Sequence, residues 1–340
     1  MPPMADERTA VAARLRSGAR SVWAAVAERF HGEALFRLIR DYAIVVSFAA
    51  LFIGLAVASD VFLTKTNLLN LLEQNAPLGI IALALTFVLI TGEFDLSVGA
   101  IAMLTGVLAA TWVDALGVWP ALLVAVLCAV GMGVVNGVLV AYAKVNSFVC
   151  TLATSLIIAG ASLAITKGFI RTVADPSFTD LGLDELMGVK YSIWLFIVAA
   201  VLTGLVLARS KFGRWLYAVG GNPEAARLSG INLGGVRVTA FAISGLAAGI
   251  AGAILASRTG QGQAGDGISI SLFAFAAVVV GGTSVLGGRG SAWRTIFGVL
   301  FLGLIANGFN LIGIDPIYQQ IVQGTIILLA VGADSLSRQR

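Results

Sequence analysis

The residues of this chain that could bind a solute are uncharged and polar, and they lie inside long apolar segments. They are Asn136, Thr151, Thr154, Ser155, Ser162, Ser244, Asn307, Asn310 and Gln323. Such side chains hydrogen-bond hydroxyl groups without attracting ions, so a polyhydroxylated neutral solute would suit them. The alternative is that each one only joins neighbouring helices by a hydrogen bond, worth about 1 kcal/mol or less.

The sequence predicts no catalytic site, no metal site and no cofactor. His31 is the only histidine, and Cys128 and Cys150 lie in apolar segments, where they are typical of small buried residues. The turn 281–290, GGTSVLGGRG, resembles a phosphate-binding loop, but Gly288 stands where the lysine should be and no strand precedes it. We therefore expect no binding of ATP by this chain.

The composition is that of an integral membrane protein. Of 340 residues, 58% are hydrophobic and only 12% are charged, whereas soluble domains are about 25% charged. The mean hydropathy of +0.95 agrees. Because the apolar runs are long, we predict an all-α protein in the lipid bilayer. The basic residues cluster at loop edges, so the net charge of +4 does not indicate nucleic acid.

Ten membrane spans are predicted, within a permease domain of residues 41–335. They are 42–60, 76–91, 96–116, 119–143, 147–166, 191–208, 237–257, 268–283, 291–313 and 317–334. With both termini in the cytoplasm, 17 of the 22 Lys and Arg residues fall on the cytoplasmic side. This bias follows the positive-inside rule. It places loop 209–236 in the cytoplasm and loop 167–190 in the periplasm.

Two further features concern the ends and the symmetry of the chain. Residues 1–40 contain seven arginines and predict either a basic amphipathic helix on the inner membrane face or a disordered basic tail.

Asn136-Gly137 and Asn307-Gly308 lie in spans five apart, each followed by a charged turn. An odd separation reverses direction, so spans 2–5 and 7–10 are predicted to form an inverted repeat, although the match is short enough for chance.

The cytoplasmic loop holds a short helix with both ends marked. Asn222 is a good N-cap, Pro223 suits the first helical position, and Glu224 suits the positive end of the helix dipole. Gly230 can end the helix in the left-handed conformation. An isolated helix of about two turns is unstable in water, so either the rest of the loop or a partner protein must hold it.

The segment TGEFDLSVG, residues 91–99, joins spans two and three and is predicted to be a turn on the inner side. Asp95 is expected to N-cap the third span, with Ser97 in its first turn. Glu93 has no such role. No span carries a clear mid-span charge, which argues against a proton- or ion-coupled transporter.

Five blocks in order resemble one family. They are GEFDLSVGA, NSFVCTLATSLIIAG, KFGRWLYAVGGNPEAARLSGI, AAVVVGGTSVLGGRGS and NGFNLIGIDPIYQQIVQG. Together they closely resemble the permease subunits of the ribose/xylose/arabinose type of bacterial ABC importer, over residues 42–334. The resemblance implies a location in the inner membrane, a second permease copy or paralogue, a cytoplasmic ATP-binding cassette subunit and a periplasmic solute-binding protein.

The resemblance also implies roles for particular residues. By it, the helix in loop 209–236 is the coupling helix that docks on the ATPase, through Asn222, Pro223, Glu224, Ala225, Ala226, Arg227 and Gly230. The chain departs from the family at Glu93, where many members have glycine, and at Ser271 and Phe273, where many carry acidic residues. We expect the translocation path to involve Asn136, Asn307, Asn310, Glu93, Asp95, Ser271 and Phe273.

The sequence therefore predicts a permease subunit that moves a neutral monosaccharide or polyol inward and does no chemistry itself. A nucleoside or other furanose is the alternative cargo. A stand-alone facilitator or symporter is a second class of function, and it would transport without a partner. A membrane scaffold or membrane enzyme is a third class, for which the sequence offers no site.

Overall fold

A computed structural model describes residues 42, 44–265, 267–315, 318, 321, 322, 324, 325 and 328. The chain divides into two units, Met1–Ser47 and Phe48–Arg340. Of the first unit the structure describes Tyr42 and residues 44–47, the latter being the start of helix α1. The predicted N-terminal segment, residues 1–40, lies outside the described residues. Every contact discussed below lies within the second unit.

Twelve α-helices and one 3₁₀ helix account for nearly all regular structure in the described residues. The helices are α1 Ile44–Ala58, α2 Lys65–Ile90, α3 Val98–Leu116, α4 Val118–Ala141, α5 Ser147–Thr166, α6 Asp180–Leu183, α7 Tyr191–Arg209, α8 Lys211–Gly221, α9 Pro223–Leu228, α10 Leu233–Thr259, α11 Gly267–Val280 and α12 Ala292–Leu311, with the 3₁₀ helix at Pro176–Thr179. Four two-residue strands pair as β1 (Arg171–Thr172) with β4 (Gln261–Gly262) and β2 (Glu185–Leu186) with β3 (Val189–Lys190), both antiparallel.

Seven of these helices are long and apolar enough to cross a membrane, and α1 and α11 are shorter apolar helices. Together they correspond to nine of the ten predicted spans, and the all-helical membrane class is confirmed. The tenth predicted span, 317–334, lies mostly outside the described residues, so the number ten stays a prediction. Helix α2 begins at Lys65 rather than at residue 76, because the side chain of Thr64 caps it by accepting from the amide of Asn67.

Helix α10 lies at the centre of the packing, against α2, α3 and α4. The helices α4 and α10 approach closely at Gly133 and Gly245. A Cβ on Gly133 would lie 3.1 Å from the Cα of Gly245. Small residues at this contact therefore let the two helices approach closely.

Helices α3 and α11 both begin inside the bundle rather than at its ends. Helix α2 ends at Ile90, beside Gly220 and Gly288, so this end of the helices carries α8 and α9 and is called the α8–α9 end. Residues 93–97 then run without helical structure before α3 starts at Val98. Residue Gly99 packs on Gly267, the first residue of α11. The N-termini of α3 and α11 thus meet inside the bundle.

The opposite end of the helices carries the strands and is called the strand end. Loop 167–190, predicted to face the periplasm, folds onto α10 there. The amide of Gly182 donates to the Ser257 hydroxyl (2.8 Å), and Phe178 is completely buried. Strand β1 pairs with β4, just beyond the end of α10. This loop is therefore an ordered cover over one end of the helices.

Candidate functional site

The buried carboxylate of Asp95 is the centre of a polar cluster that joins three helices. Its Oδ1 accepts from the amide (3.0 Å) and the hydroxyl (2.6 Å) of Ser97, and its Oδ2 accepts from the hydroxyl of Ser244 on α10 (2.7 Å). The amide group of Asn136 on α4 donates to the Ser97 hydroxyl (2.8 Å). All four side chains are at most 2% exposed. The cluster therefore ties the start of α3 to α4 and α10.

Two sequence predictions about Asp95 are wrong. It does not N-cap α3, because Ser97 is the cap residue and Asp95 instead closes a turn onto Ser97, two residues later. It also does not lie at an inner-side turn. Its partner Ser244 is about 16 Å along α10, which is about 40 Å long. Asp95 therefore brings a carboxyl group level with the middle of α10, although it lies on the non-helical segment before α3 and not on a span.

Helix α5 holds the extended segment before α3. The amide of Phe94 donates to the Ser147 hydroxyl (3.1 Å), and the amide of Leu96 donates to the Thr151 hydroxyl (3.0 Å). These bonds replace the ladder that an extended segment would otherwise form with a neighbouring strand. The ring of Phe94 also packs on Phe275 of α11, with centroids 5.7 Å apart.

Ser271 closes the contact between the two helix starts. Its hydroxyl accepts from the amide of Gly99 (2.9 Å) and donates to the carbonyl of Leu96 (2.8 Å). A Cβ on Gly99 would overlap the carbonyl oxygen of Gly267, so the approach requires glycine. Ser271 is completely buried and Phe273 is partly buried against the core. In this conformation Ser271 therefore joins helices.

The predicted path residues are not all brought together. Asn136 belongs to the Asp95 cluster, but Asn307 pairs instead with Asn67 of α2, through two amide hydrogen bonds of 2.9 and 3.2 Å. Asn310 is exposed on the last turn of α12. The two Asn-Gly pairs therefore have different surroundings, so the inverted repeat stays a prediction.

Glu93 is the first residue of the extended segment 93–97. Its carboxylate is 3.0 Å from Nε of Arg237, and the two side chains are only 15% and 24% exposed. Arg237 is in the first two turns of α10, immediately after the loop that carries α9. This ion pair therefore links the segment to the α8–α9 end of α10.

Helix α9 has the local structure that its sequence predicts. Asn222 caps it by accepting from the amide of Ala225 (3.0 Å), and Pro223 occupies the first turn. Gly230 has a φ of +80°. The amides of Gly230 and Ile231 bond back to the helix in the arrangement that ends many helices.

The exposed face of α9 carries a charged pair and an apolar side chain. Arg227 contacts both carboxylate oxygens of Glu224, at 2.6 and 3.2 Å, and these bonds raise the pKa of the Arg227 guanidinium. Leu228 is 76% exposed, whereas Ala226 is buried. Ala226 therefore packs the helix against the protein, and Glu224, Arg227 and Leu228 are exposed.

A close three-way junction joins α8 to the end of α2 and to turn 281–290. The amide of Gly288 donates to the carbonyl of Ile90 (2.9 Å), which also lies directly against Gly220. The hydroxyl of Tyr217 donates to the carbonyl of Gly290 (2.8 Å), and burial raises the pKa of that hydroxyl. The junction therefore connects α8 directly to the end of α2, three residues before Glu93.

Sequence reasoning named Ser97, Thr151 and Ser244 but did not assign their contacts with Asp95 and the extended segment. It missed Ser147 and Arg237 as residues of this site. The only signal was the recurrence of hydroxyl residues at 147, 151 and 155, which places them on one helix face. No group of His, Cys, Asp and Glu residues that could hold a metal occurs within the described ranges.

Comparison with known proteins settles the family. The family model described as "Branched-chain amino acid transport system / permease component" matches residues 67–331. The chain belongs to this permease family. The ribose import permease of Bacillus subtilis is 40% identical over 294 residues, 84% of this chain and 91% of the relative. The ribose import permease of Haemophilus influenzae is 37% identical over 297 residues, which are 85% of this chain and 92% of the relative.

A third relative carries a different sugar in its name. The L-arabinose ABC transporter permease of Azospirillum brasilense is 35% identical over 318 residues, 93% of this chain and 94% of the relative. No solved structure matches the chain. Because the chain belongs to this permease family and has seven helices that could span a membrane, it is a multi-pass protein of the inner membrane and a transport component rather than an enzyme. Its family implies an ATPase and a substrate-binding protein as partners.

Proposed function

We propose that this permease carries a neutral monosaccharide or related polyol inward, driven by a separate ATP-binding cassette subunit that docks on α9. The observation that carries the proposal is the capped helix α9, whose exposed face is connected by contacts to the Asp95 cluster. The sugar named in each of the three relatives is a pentose, which makes a pentose the first candidate. A nucleoside or other furanose is the alternative cargo.

The connection from α9 to the middle of the bundle has two branches. One runs from α9 through Asn232, which caps α10 by accepting from the amide of Gly235 (3.0 Å), to the ion pair of Arg237 and Glu93. It then continues along α10 to Ser244 and Asp95. The helix transmits displacement because its backbone hydrogen bonds make it stiff.

The other branch runs through α8. The contact of Gly220 with the carbonyl of Ile90 couples α8 to the end of α2, three residues before Glu93. Both branches therefore reach the extended segment between α2 and α3. We infer that ATP-driven closure of two docked ATPase subunits, one on each of two permease copies, moves this segment and alternates access to the path.

The surface of α9 suits a protein partner. Leu228 offers an exposed apolar anchor, and the ion pair of Arg227 and Glu224 offers exposed charge on the same short helix. Replacement of an exposed leucine by aspartate places a charge at the centre of the contact, which tight interfaces tolerate poorly. We expect Leu228→Asp to abolish co-purification of the ATPase subunit.

A matched control is available at the strand end. Met187 is 89% exposed, in the turn between β2 and β3. Met187→Asp should leave ATPase co-purification unchanged, because it lies beyond the opposite end of the helices. Equal retention of the ATPase by both variants would refute docking at α9. Uptake of a panel of labelled pentoses, hexoses, polyols and nucleosides by the complete importer identifies the cargo.

The buried carboxylate of Asp95 favours a second candidate, a symporter that works without ATP. Intramembrane carboxylates often relay protons or bind ions. Against this, the hydrogen-bond partners of Asp95 in the described part of the chain are all neutral donors that tie helices together. Uptake by the permease alone, dependent on an ion gradient, would support the second candidate.

A further inference from the structure

The contacts between α5 and the extended segment form a ladder. Amides two residues apart, at Phe94 and Leu96, donate to hydroxyls four residues apart, at Ser147 and Thr151. Two residues of extended chain advance about 6.6 Å, and four residues of α-helix advance about 6.0 Å. The two spacings match, so each further step of two residues along the segment meets a further step of four along α5.

The sequence has the residues for a third step of this ladder, but the structure does not form its hydrogen bond. Its members would be the amide of Val98 and the hydroxyl of Ser155. The Ser155 hydroxyl is completely buried and has no hydrogen-bond partner in the described residues. The Val98 amide is the first of α3, a position with no acceptor inside the helix, and no acceptor meets it elsewhere in the part of the chain described.

The conformation of Ser97 explains why the third step is open. Its φ of −84° and ψ of −15° are helical, so the chain leaves the extended path there and turns the Val98 amide off the ladder. Asp95 holds Ser97 in this conformation through its amide and hydroxyl, and Asn136 holds the same hydroxyl. Two buried polar groups are left unpaired as a result, which is costly.

We propose that the permease has a second conformation in which Ser97 is extended and the Val98 amide donates to the Ser155 hydroxyl. The Asp95 cluster is then the latch of the first conformation, and Ser155 is the acceptor of the second. One member of the latch, Ser244, lies on α10, which leads from α9, so partner-driven movement of α10 would release the latch. This inference rests on the proposed function, because it supplies the conformational change that transport requires.

The size of the effect follows from one hydrogen bond. A neutral hydrogen bond formed in only one of two states changes their ratio about fivefold. Ser155→Ala should therefore lower the population of the second conformation, and the uptake rate, about fivefold. Ser192→Ala is the matched control. Ser192 is an equally buried serine, on α7, whose hydroxyl likewise has no hydrogen-bond partner in the described residues, and it lies away from the extended segment.

The test combines structures and uptake of the complete importer in lipid. Structures with no nucleotide and with a non-hydrolysable ATP analogue give the distance from the Val98 nitrogen to the Ser155 hydroxyl oxygen. We expect at most 3.5 Å in one state, with Ser97 extended. A longer distance in both states, or a water molecule bridging the two groups in both, would overturn the proposal.

The two serine variants test the third step independently of the structures. Uptake that is reduced about fivefold by Ser155→Ala and unchanged by Ser192→Ala, at equal membrane levels, supports the third step; equal uptake by the two variants refutes it. If Ser155→Ala is not inserted, the wild-type distances decide. If the wild-type importer carries no sugar, the proposed function fails, whereas the distances in the two nucleotide states still decide this inference.

Discussion

The bond between Ser244 and Asp95 allows a quantitative test of the buried cluster. Ser244→Ala removes the hydroxyl that donates to Oδ2, and this oxygen has no other hydrogen-bond donor within the described ranges. Leaving a buried acceptor without its donor costs about 1–3 kcal/mol, and Oδ2 cannot recover the bond from water because Asp95 is 2% exposed. We expect the free energy of unfolding to fall by about that amount.

The control for this stability measurement is Ser162→Ala. Both serines are buried inside membrane helices, so the change in helix propensity and the lost volume are the same for both. The Ser162 hydroxyl donates only to a carbonyl that already accepts the regular helical bond, so its loss should cost about 0.5 kcal/mol or less. The difference between the variants therefore isolates the bond to Asp95.

The assay is reversible unfolding by SDS in mixed micelles, followed by circular dichroism. The structure predicts a difference in unfolding free energy between Ser244→Ala and Ser162→Ala of about 1–3 kcal/mol. A difference below about 0.5 kcal/mol would refute the reasoning, because it would mean that the Ser244 hydroxyl does not stabilise the buried carboxylate.

Three further predictions concern the route from α9 to the cluster. Gly220→Ala places a Cβ on the carbonyl of the α2 terminus and should strongly reduce uptake, whereas Gly221→Ala, with nothing within 4 Å, should match wild type in the same assay. A double-mutant cycle with Glu93→Gln and Arg237→Gln should give a coupling energy of about 1 kcal/mol in unfolding, and additive effects would contradict a direct pair. Asn222→Ala removes the cap of α9, at a cost of about 1 kcal/mol, and should weaken ATPase co-purification; unaltered affinity would show that α9 need not be preformed.

Local features of the chain could be predicted from its sequence. The caps of α9 depend on Asn222 and Gly230 themselves, so short-range chemistry suffices to identify them. The spans follow from hydropathy. The structure begins α2 eleven residues before the predicted span, because hydropathy does not detect the polar first turns of this helix, which contain Asn67, Glu73 and Asn75. The family followed from ordered blocks of residues.

The depth of Asp95 could not be predicted in this way. Hydropathy locates charge relative to apolar runs, and Asp95 falls between two such runs, so hydropathy assigns it to an inner-side turn. Its position depends on its bond with Ser244, 149 residues away in sequence, and on the bond that joins its neighbour Ser97 to Asn136, 39 residues away. Such contacts exist only after the helices pack, and no periodicity in the sequence encodes them.

The most direct test of the account is uptake by purified permease reconstituted in liposomes. With the ATPase subunit, the substrate-binding protein and ATP all present, we expect accumulation of a labelled monosaccharide, and we expect none when the ATPase subunit is omitted or ATP is replaced by a non-hydrolysable analogue. Sustained uptake by the permease alone, without nucleotide, would contradict the claim that a partner docked on α9 drives this protein.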